Sequence, residues 1–190
     1  MNLTVRLGKP RGLKPWGWEP PREQRDTLAL LGAFCLFLST LEYMIPKPLP
    51  FMRIGLANLP LMIAPDFFPL PAFILLVLIK VLGQALITGT LFSYVFLFSL
   101  AGTTASAASM YLLRRGLGPK RIGFVGTGVT GAFFSNGSQL LLARFFLFGE
   151  NALLLAPPFL AAGIITGAAL GFFCEAFASR SAWYRTRRRL

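Results

Sequence analysis

The sequence predicts an all-α polytopic membrane protein: a bundle of six transmembrane helices with a short second helix. Of its residues, 55% are hydrophobic, and the mean hydropathy is +0.63. Several apolar stretches approach the roughly 20 residues that a helix needs to span a bilayer. This composition predicts a multi-pass protein of the cell membrane.

The net charge of +12 is concentrated in two flanking tails. Six of the 19 basic residues precede Thr27, and five follow Ala178. We therefore predict a basic cytoplasmic tail over 1–26, a membrane domain over 27–178 and a second basic cytoplasmic tail over 179–190. Such tails bind anionic lipid, so the charge does not predict a nucleic-acid partner.

The helices follow from apolar runs and from the prolines between them. The first is expected over 27–45, because Pro46, Pro48 and Pro50 follow it. The others are expected over 54–64, 72–87, 91–113, 122–148 and 153–178.

The stretch 54–64 is short for a span, and charge bias decides its status. Both termini are basic, and so is the connection that holds Arg114, Arg115, Lys120 and Arg121. If all three are cytoplasmic, an even number of crossings must separate each pair, which requires 54–64 to cross. The 46–53 loop then lies outside. The alternative is a dip into the membrane and back, with Lys47 and Arg53 placed differently.

Small residues recur every four positions in several helices, a spacing that lets helix backbones approach closely. The pairs are Ala29 with Ala33 and Ala101 with Ala105, and the longest run is Gly163, Gly167 and Gly171. Packing inside the bundle is the favoured interpretation of the glycine run. For Ala29 and Ala33, internal packing and a partner-docking face are equally open.

Polar residues inside apolar helices are costly unless they meet a partner, so they mark candidate sites. Lys80, Gln84 and Thr88 form one stripe, and Asn136, Gln139 and Arg144 share one arc of their helix. The predicted substrate-binding residues are Arg53, Asn58, Lys80, Gln84, Asn136, Gln139 and Arg144. The alternative is structural: Glu42 and Glu175 would neutralise Lys80 and Arg144 in buried pairs.

In this prediction Arg53, Lys80 and Arg144 outnumber the nearby acids, which favours an anionic group on the ligand. Catalysis is not predicted. The sequence has no P-loop motif, no histidine, only the aspartates Asp26 and Asp66, and two cysteines within apolar segments. We therefore expect a non-enzymatic protein without metal or cofactor.

Several short motifs resemble one known family. Glu42 with Ile45-Pro46, the run 53–58 (RIGLAN), the run 99–102 (SLAG), Gly131-Ala132, and Asn136 with Gln139 look like the Gx transporter family, also labelled heptaprenyl diphosphate synthase component I. The resemblance covers 41–171. The chain differs from the family pattern at Arg53, Lys80 and Ser135, where lysine, arginine and histidine are usual.

The resemblance implies a protein similar to the substrate-binding S-components of energy-coupling-factor uptake systems. In those systems a small-residue face of the first helix docks onto a transmembrane coupling protein driven by two ATPases. Ala29 and Ala33 would suit that role, and the 46–53 loop would cover a site that opens outward. The function predicted is uptake of a small solute with energy from a partner.

Two other functions stay open at the level of sequence. The chain would serve as a non-catalytic membrane subunit of a heptaprenyl diphosphate synthase, since it lacks the carboxylates that such a synthase needs to hold Mg²⁺. Alternatively it would be a membrane scaffold without a small ligand, in which case ligand-dependent thermal stabilisation should be absent.

Overall fold

The structure is a computed structural model. In the part of the chain that it describes, apolar periodicity and prolines produce a wholly helical fold. Residues 21–46, 54–119 and 121–187 are described. The helices are α1 (Arg22–Met44), α2 (Leu59–Ile63), α3 (Leu70–Ile87), α4 (Tyr94–Leu117), α5 (Phe124–Ala143), α6 (Ala152–Arg180) and α7 (Ala182–Arg187). Lys47, Arg53 and Lys120 lie outside the described residues, as does most of the predicted tail 1–26.

The all-α prediction is confirmed, since the described ranges contain helices and turns but no strand. Four stretches are apolar and long enough to cross a membrane, and the last of them, 124–180, contains both α5 and α6. The helix α1 begins at Arg22, directly after Pro21 and earlier than predicted. The helix α5 ends at Ala143, before a π-helical turn over Arg144–Phe148 that the sequence prediction had included in the span.

The short second segment is built from three helical pieces. A 3₁₀ turn (Leu56–Asn58) precedes α2, and a second 3₁₀ turn (Ala64–Asp66) follows it. Gly55 turns the chain into this segment with φ of 91°, a left-handed conformation that favours glycine. Pro60 and Pro65 lie near the starts of successive pieces, where proline is tolerated. The segment is therefore short and divided because of its prolines.

Contacts between the ends of several helices define one end of the bundle, here called the basic end. The side chain of Gln24, at the start of α1, donates to the carbonyl of Phe67 at 3.4 Å. Arg115, at the end of α4, donates to the carbonyl of Phe68 at 2.8 Å. The end of α6 joins them, because Glu175 accepts the N–H of Phe124, the first residue of α5, at 2.8 Å. The helices α1, α3 and α5 therefore start at the basic end, and α4 and α6 finish there.

A buried ionic network holds the basic end together. The Arg114 guanidinium donates to both carboxylate oxygens of Asp66, at 2.9 and 2.7 Å. It also donates to the carbonyl of Ile122 at 3.1 Å and lies 3.9 Å above the ring of Phe124. The hydroxyl of Tyr184 in α7 donates to the same carboxylate. Four elements thus meet at the pair of Asp66 and Arg114: the second segment, α4, α5 and α7.

The glycine run packs α6 against α5, as the internal-packing interpretation expects. A Cβ atom added at Gly128 would lie 2.3 Å from the carbonyl oxygen of Gly167, and one added at Gly171 would lie 2.4 Å from the Cα atom of Val125. Backbone atoms cannot move aside as a flexible side chain can. In contrast, Ala29 and Ala33 lie on the exposed face of α1.

Candidate functional site

A small cavity with polar and apolar lining lies where α1, the second segment and α3–α6 converge. Its volume is about 30 Å³. A site needs about 10–15 Å³ on this measure to hold one water, so the cavity has room for very few. Its polar lining residues are Glu42, Asn58, Lys80, Thr103, Ser135, Asn136 and Thr166.

Lys80 is the centre of the site. Its side chain is only 2% exposed, and the ammonium donates to the side-chain oxygen of Asn58 at 2.8 Å and to the hydroxyl of Thr103 at 2.9 Å. A buried ammonium without such acceptors would be strongly destabilising. Asn58 and Thr103 therefore hold the charge at a defined position between the second segment and α4.

Glu42 forms the wall of the cavity on α1. Its carboxylate accepts the backbone N–H groups of Gly55 and Ala57, at 3.1 and 3.4 Å. These bonds tie the start of the second segment to α1, and Gly55 makes them accessible through its left-handed turn. Glu42 and Lys80 thus bring one negative and one positive side chain to the same cavity.

Asn136 and Ser135 supply the wall on α5. The side-chain amide of Asn136 donates to the carbonyl of Phe159 in α6 at 2.9 Å. It lies directly against Gly163, where an added Cβ would be 2.1 Å from the amide nitrogen. The small residue of α6 therefore leaves the space that Asn136 occupies.

Two further residues of the predicted set, Gln84 and Gln139, are buried one helical turn from the cavity and do not line it. Gln139 is fully buried, and its amide nitrogen donates to the carbonyl and hydroxyl oxygens of Ser135 at 3.2 and 3.0 Å. The side-chain oxygens of Gln84 and Gln139 are both buried, and no described residue donates a hydrogen bond to either of them.

Arg144 lies away from the cavity, at the far end of α5. It pairs with Glu150 at 2.5 Å, and its side chain is 43% exposed. The acid proposed for it in the structural alternative, Glu175, is instead bound to the start of α5 at the basic end. The two residues lie at opposite ends of a 20-residue helix, about 30 Å long, so they cannot form a pair.

The structure thus brings together Asn58, Lys80 and Asn136 from the predicted set and adds residues that the prediction omitted. Thr103 is the clearest omission, because the small-residue run around it reads as helix packing. Ser135 was recognised as a polar residue in the apolar run and as a departure from the family pattern, and Glu42 as part of the resemblance and as a neutralising acid, but neither was predicted to bind the substrate. The signal for Thr103 was its position beside Gly102 in the segment that carries the resemblance. Arg53 lies outside the described residues.

The apolar helices define a helical membrane protein, in which Lys80 and Asn58 are hydrogen-bonded beside a small cavity. A family model described as heptaprenyl diphosphate synthase component I matches residues 31–177. The chain belongs to this family, which confirms the resemblance found in the sequence. Searches of curated proteins and of solved structures give no significant match.

Proposed function

We propose that the protein is a solute-binding subunit of an uptake system, with a small polar solute bound inside a bundle of six transmembrane helices. The observation that carries the proposal is the hydrogen-bonded ammonium of Lys80 in a cavity lined by six parts of the chain. Polar groups at this depth are rare in membrane helices and mark substrate pathways more often than packing.

The direction of uptake follows from the charge bias. The basic end carries Arg22, Arg114, Arg115, Arg180 and Arg185, and under the positive-inside rule this excess of arginine supports a cytoplasmic position for it. Glu42 lies near the opposite end of α1, two residues before Met44. The cavity extends from Glu42 near this end to Gly128, the fifth residue of α5, so it lies in the middle of the bundle with Glu42 on its outer side.

The cavity is smaller than the roughly 300–1,000 Å³ of ordinary ligand pockets, so the described conformation is a closed one in this proposal. A solute enters when the second segment, held to α1 through Glu42, moves away from α5 and α6. Energy for this cycle would come from a partner that docks on the exposed face of α1 with Ala29 and Ala33. A coupling protein with ATPases would fit this role.

We expect Lys80→Met to reduce the amount of retained solute at least tenfold, because it removes a buried ammonium from the site. Arg144→Met is the matched control. It also replaces a basic side chain by methionine, but at the end of α5 and outside the cavity, so it should leave retention unchanged. The measurement is native mass spectrometry of the protein gently extracted from its own membrane, recording small molecules and co-extracted subunits. Equal retention by both variants would contradict the proposal.

The family description favours a second candidate, a non-catalytic membrane subunit of a heptaprenyl diphosphate synthase. The same measurement separates the two functions. A soluble synthase subunit extracted with a solute-free protein would support the second candidate. A retained polar metabolite, with or without a coupling protein, would support uptake.

A further inference from the structure

An apolar groove runs along the side of the bundle between α1 and α6, here called the α1–α6 groove. Its volume is about 430 Å³. Buried residues of the second segment, Leu59, Pro60 and Ile63, form its floor. Exposed side chains such as Leu30 of α1 and Phe173 of α6 form its rims. The other lining residues are Leu31, Phe34, Cys174, Phe177, Ser181 and Trp183. A buried floor between exposed rims means that the groove opens sideways from the bundle.

The groove extends from the basic end to about the middle of the bundle. Ser181 and Trp183, which follow the last residue of α6, line it at the basic end. Phe34 lies about 18 Å along α1 from its first residue, and Phe173 lies about 10 Å from the last residue of α6. Half of the hydrocarbon core of a bilayer is roughly 15 Å thick. The groove is therefore about as long as one leaflet is deep.

The lining and the volume of the groove limit what it can hold. Ser181 is the one lining residue whose side chain is not apolar, and it lies at the basic end. An α-helix of the same length, 10–12 Å across, occupies roughly 1,400 Å³ or more, well above the volume of the groove. A single hydrocarbon chain is much narrower than a helix. The groove therefore fits one acyl chain and not a transmembrane helix of a partner.

The mouth of the groove at the basic end offers a cation for a phosphate group. Arg180 follows Phe177 by three residues and Phe173 by seven, so it lies on the same side of α6 as these two lining residues. Its side chain is exposed and forms no hydrogen bond or ion pair with another described residue. Arginine matches the geometry of a phosphate. Because Glu23 and Asp26 lie near the start of α1 at the same end, the mouth does not require a headgroup with net negative charge.

We propose that the α1–α6 groove binds one phospholipid of the leaflet at the basic end, with an acyl chain in the groove and the phosphate beside Arg180. Trp183 then lies between chain and headgroup, where the amphipathic indole ring is favoured. The lipid fills the space between α1 and α6 and rests on the second segment. Leu59 in the floor directly follows Asn58, which accepts a hydrogen bond from Lys80. The lipid thus supports the segment that holds the Lys80 ammonium, whether or not the cavity binds a solute.

The first test counts the phospholipids that stay bound in native mass spectrometry. The protein is released by collisional activation from nanodiscs of palmitoyl-oleoyl phosphatidylethanolamine and phosphatidylglycerol. We expect one phospholipid to remain after the surrounding lipids are lost. Phe173→Ala, which removes a rim of the groove, should lower the retained fraction at least threefold. Phe172→Ala is the matched control, because Phe172 is also an exposed phenylalanine of α6 but does not line the groove.

The same measurement tests the phosphate contact with Arg180→Gln and its control Arg121→Gln. Both arginines are exposed and lie at the basic end, but Arg121 belongs to the connection between α4 and α5, which does not line the groove. We expect Arg180→Gln alone to lower retention at least threefold. Equal retention by both arginine variants would overturn the phosphate contact. Equal retention by Phe173→Ala and Phe172→Ala, or a lipid-free dimer that survives activation, would overturn the lipid site as a whole.

The second test uses Trp183 as a probe inside the groove, with Trp16 and Trp18 replaced by phenylalanine. The protein in detergent micelles is titrated with phosphatidylglycerol that is dibrominated on one acyl chain, and quenching of the indole fluorescence is recorded. We expect quenching to saturate at one lipid per protein, to be reversed by unbrominated lipid, and to require at least threefold more lipid in the Phe173→Ala background. Quenching that rises with lipid without saturation would show general lipid contact only and overturn the site.

Discussion

Asp66→Asn is expected to lower the free energy of unfolding by about 3–5 kcal/mol, the usual effect of breaking a buried ion pair. The Arg114 guanidinium would keep its burial but lose the charge of its bidentate partner, since both side chains are less than 5% exposed. The hydroxyl of Tyr184 would also lose its charged acceptor. The measurement is an SDS titration of the purified protein in mixed micelles.

The matched control for this prediction is another arginine and acid pair, Arg144 with Glu150. That pair has similar chemistry but lies at an exposed turn. Exposed pairs contribute about 0–1 kcal/mol, so Glu150→Gln should shift the unfolding midpoint little. If Asp66→Asn and Glu150→Gln shift it equally, the basic end is not held by the buried network.

Gly167→Ala is expected to destabilise the protein by about 1–3 kcal/mol, the range observed for overpacked interiors. Its new Cβ atom would lie 2.6 Å from the carbonyl oxygen of Gly128 and 2.8 Å from the Cβ of Ala132. Relief requires α5 and α6 to separate. Because Gly128, Ala132 and Gly167 line the cavity, retention of the solute should fall as well.

Gly137→Ala makes the same change at a position with free space. Nothing lies within 4 Å of a Cβ atom added there. Alanine favours a helix by about 0.8–1.0 kcal/mol over glycine, so this variant should be equal to or more stable than the wild type. Loss of stability in both variants would indicate that an effect common to both positions, such as altered lipid contact, and not the close approach of α5 and α6, determines the result.

The positions of the helices were largely predictable because they depend on local features. A helix forms where the chain has an apolar run, and it ends near a proline, such as Pro46 after α1 or the prolines around 65–71. Both features act locally and do not depend on contacts with other helices. The end of α5 was missed because Arg144–Phe148 is as apolar as the helix before it. The π turn over these residues leads into Gly149, whose φ is 55°.

The candidate site was predictable only where one helix carried the signal. Lys80 and Asn136 were identified because a charge or an amide in an apolar helix is costly and needs a partner. The identity of that partner is not local. Lys80 meets Asn58 and Thr103, which lie 22 and 23 residues away, and neither hydrogen bond follows from the sequence of α3.

By itself, the sequence determined the class of this protein, its family, the approximate helices and the residues too polar to face lipid. Only the tertiary structure decided which of those residues meet. It joined Asp66 to both Arg114 and Tyr184, separated Arg144 from Glu175, and left the oxygens of Gln84 and Gln139 without donors among the described residues. The reason is physical: composition and periodicity act within one helix, whereas contacts between helices depend on their crossing, which glycines such as Gly128 and Gly167 permit.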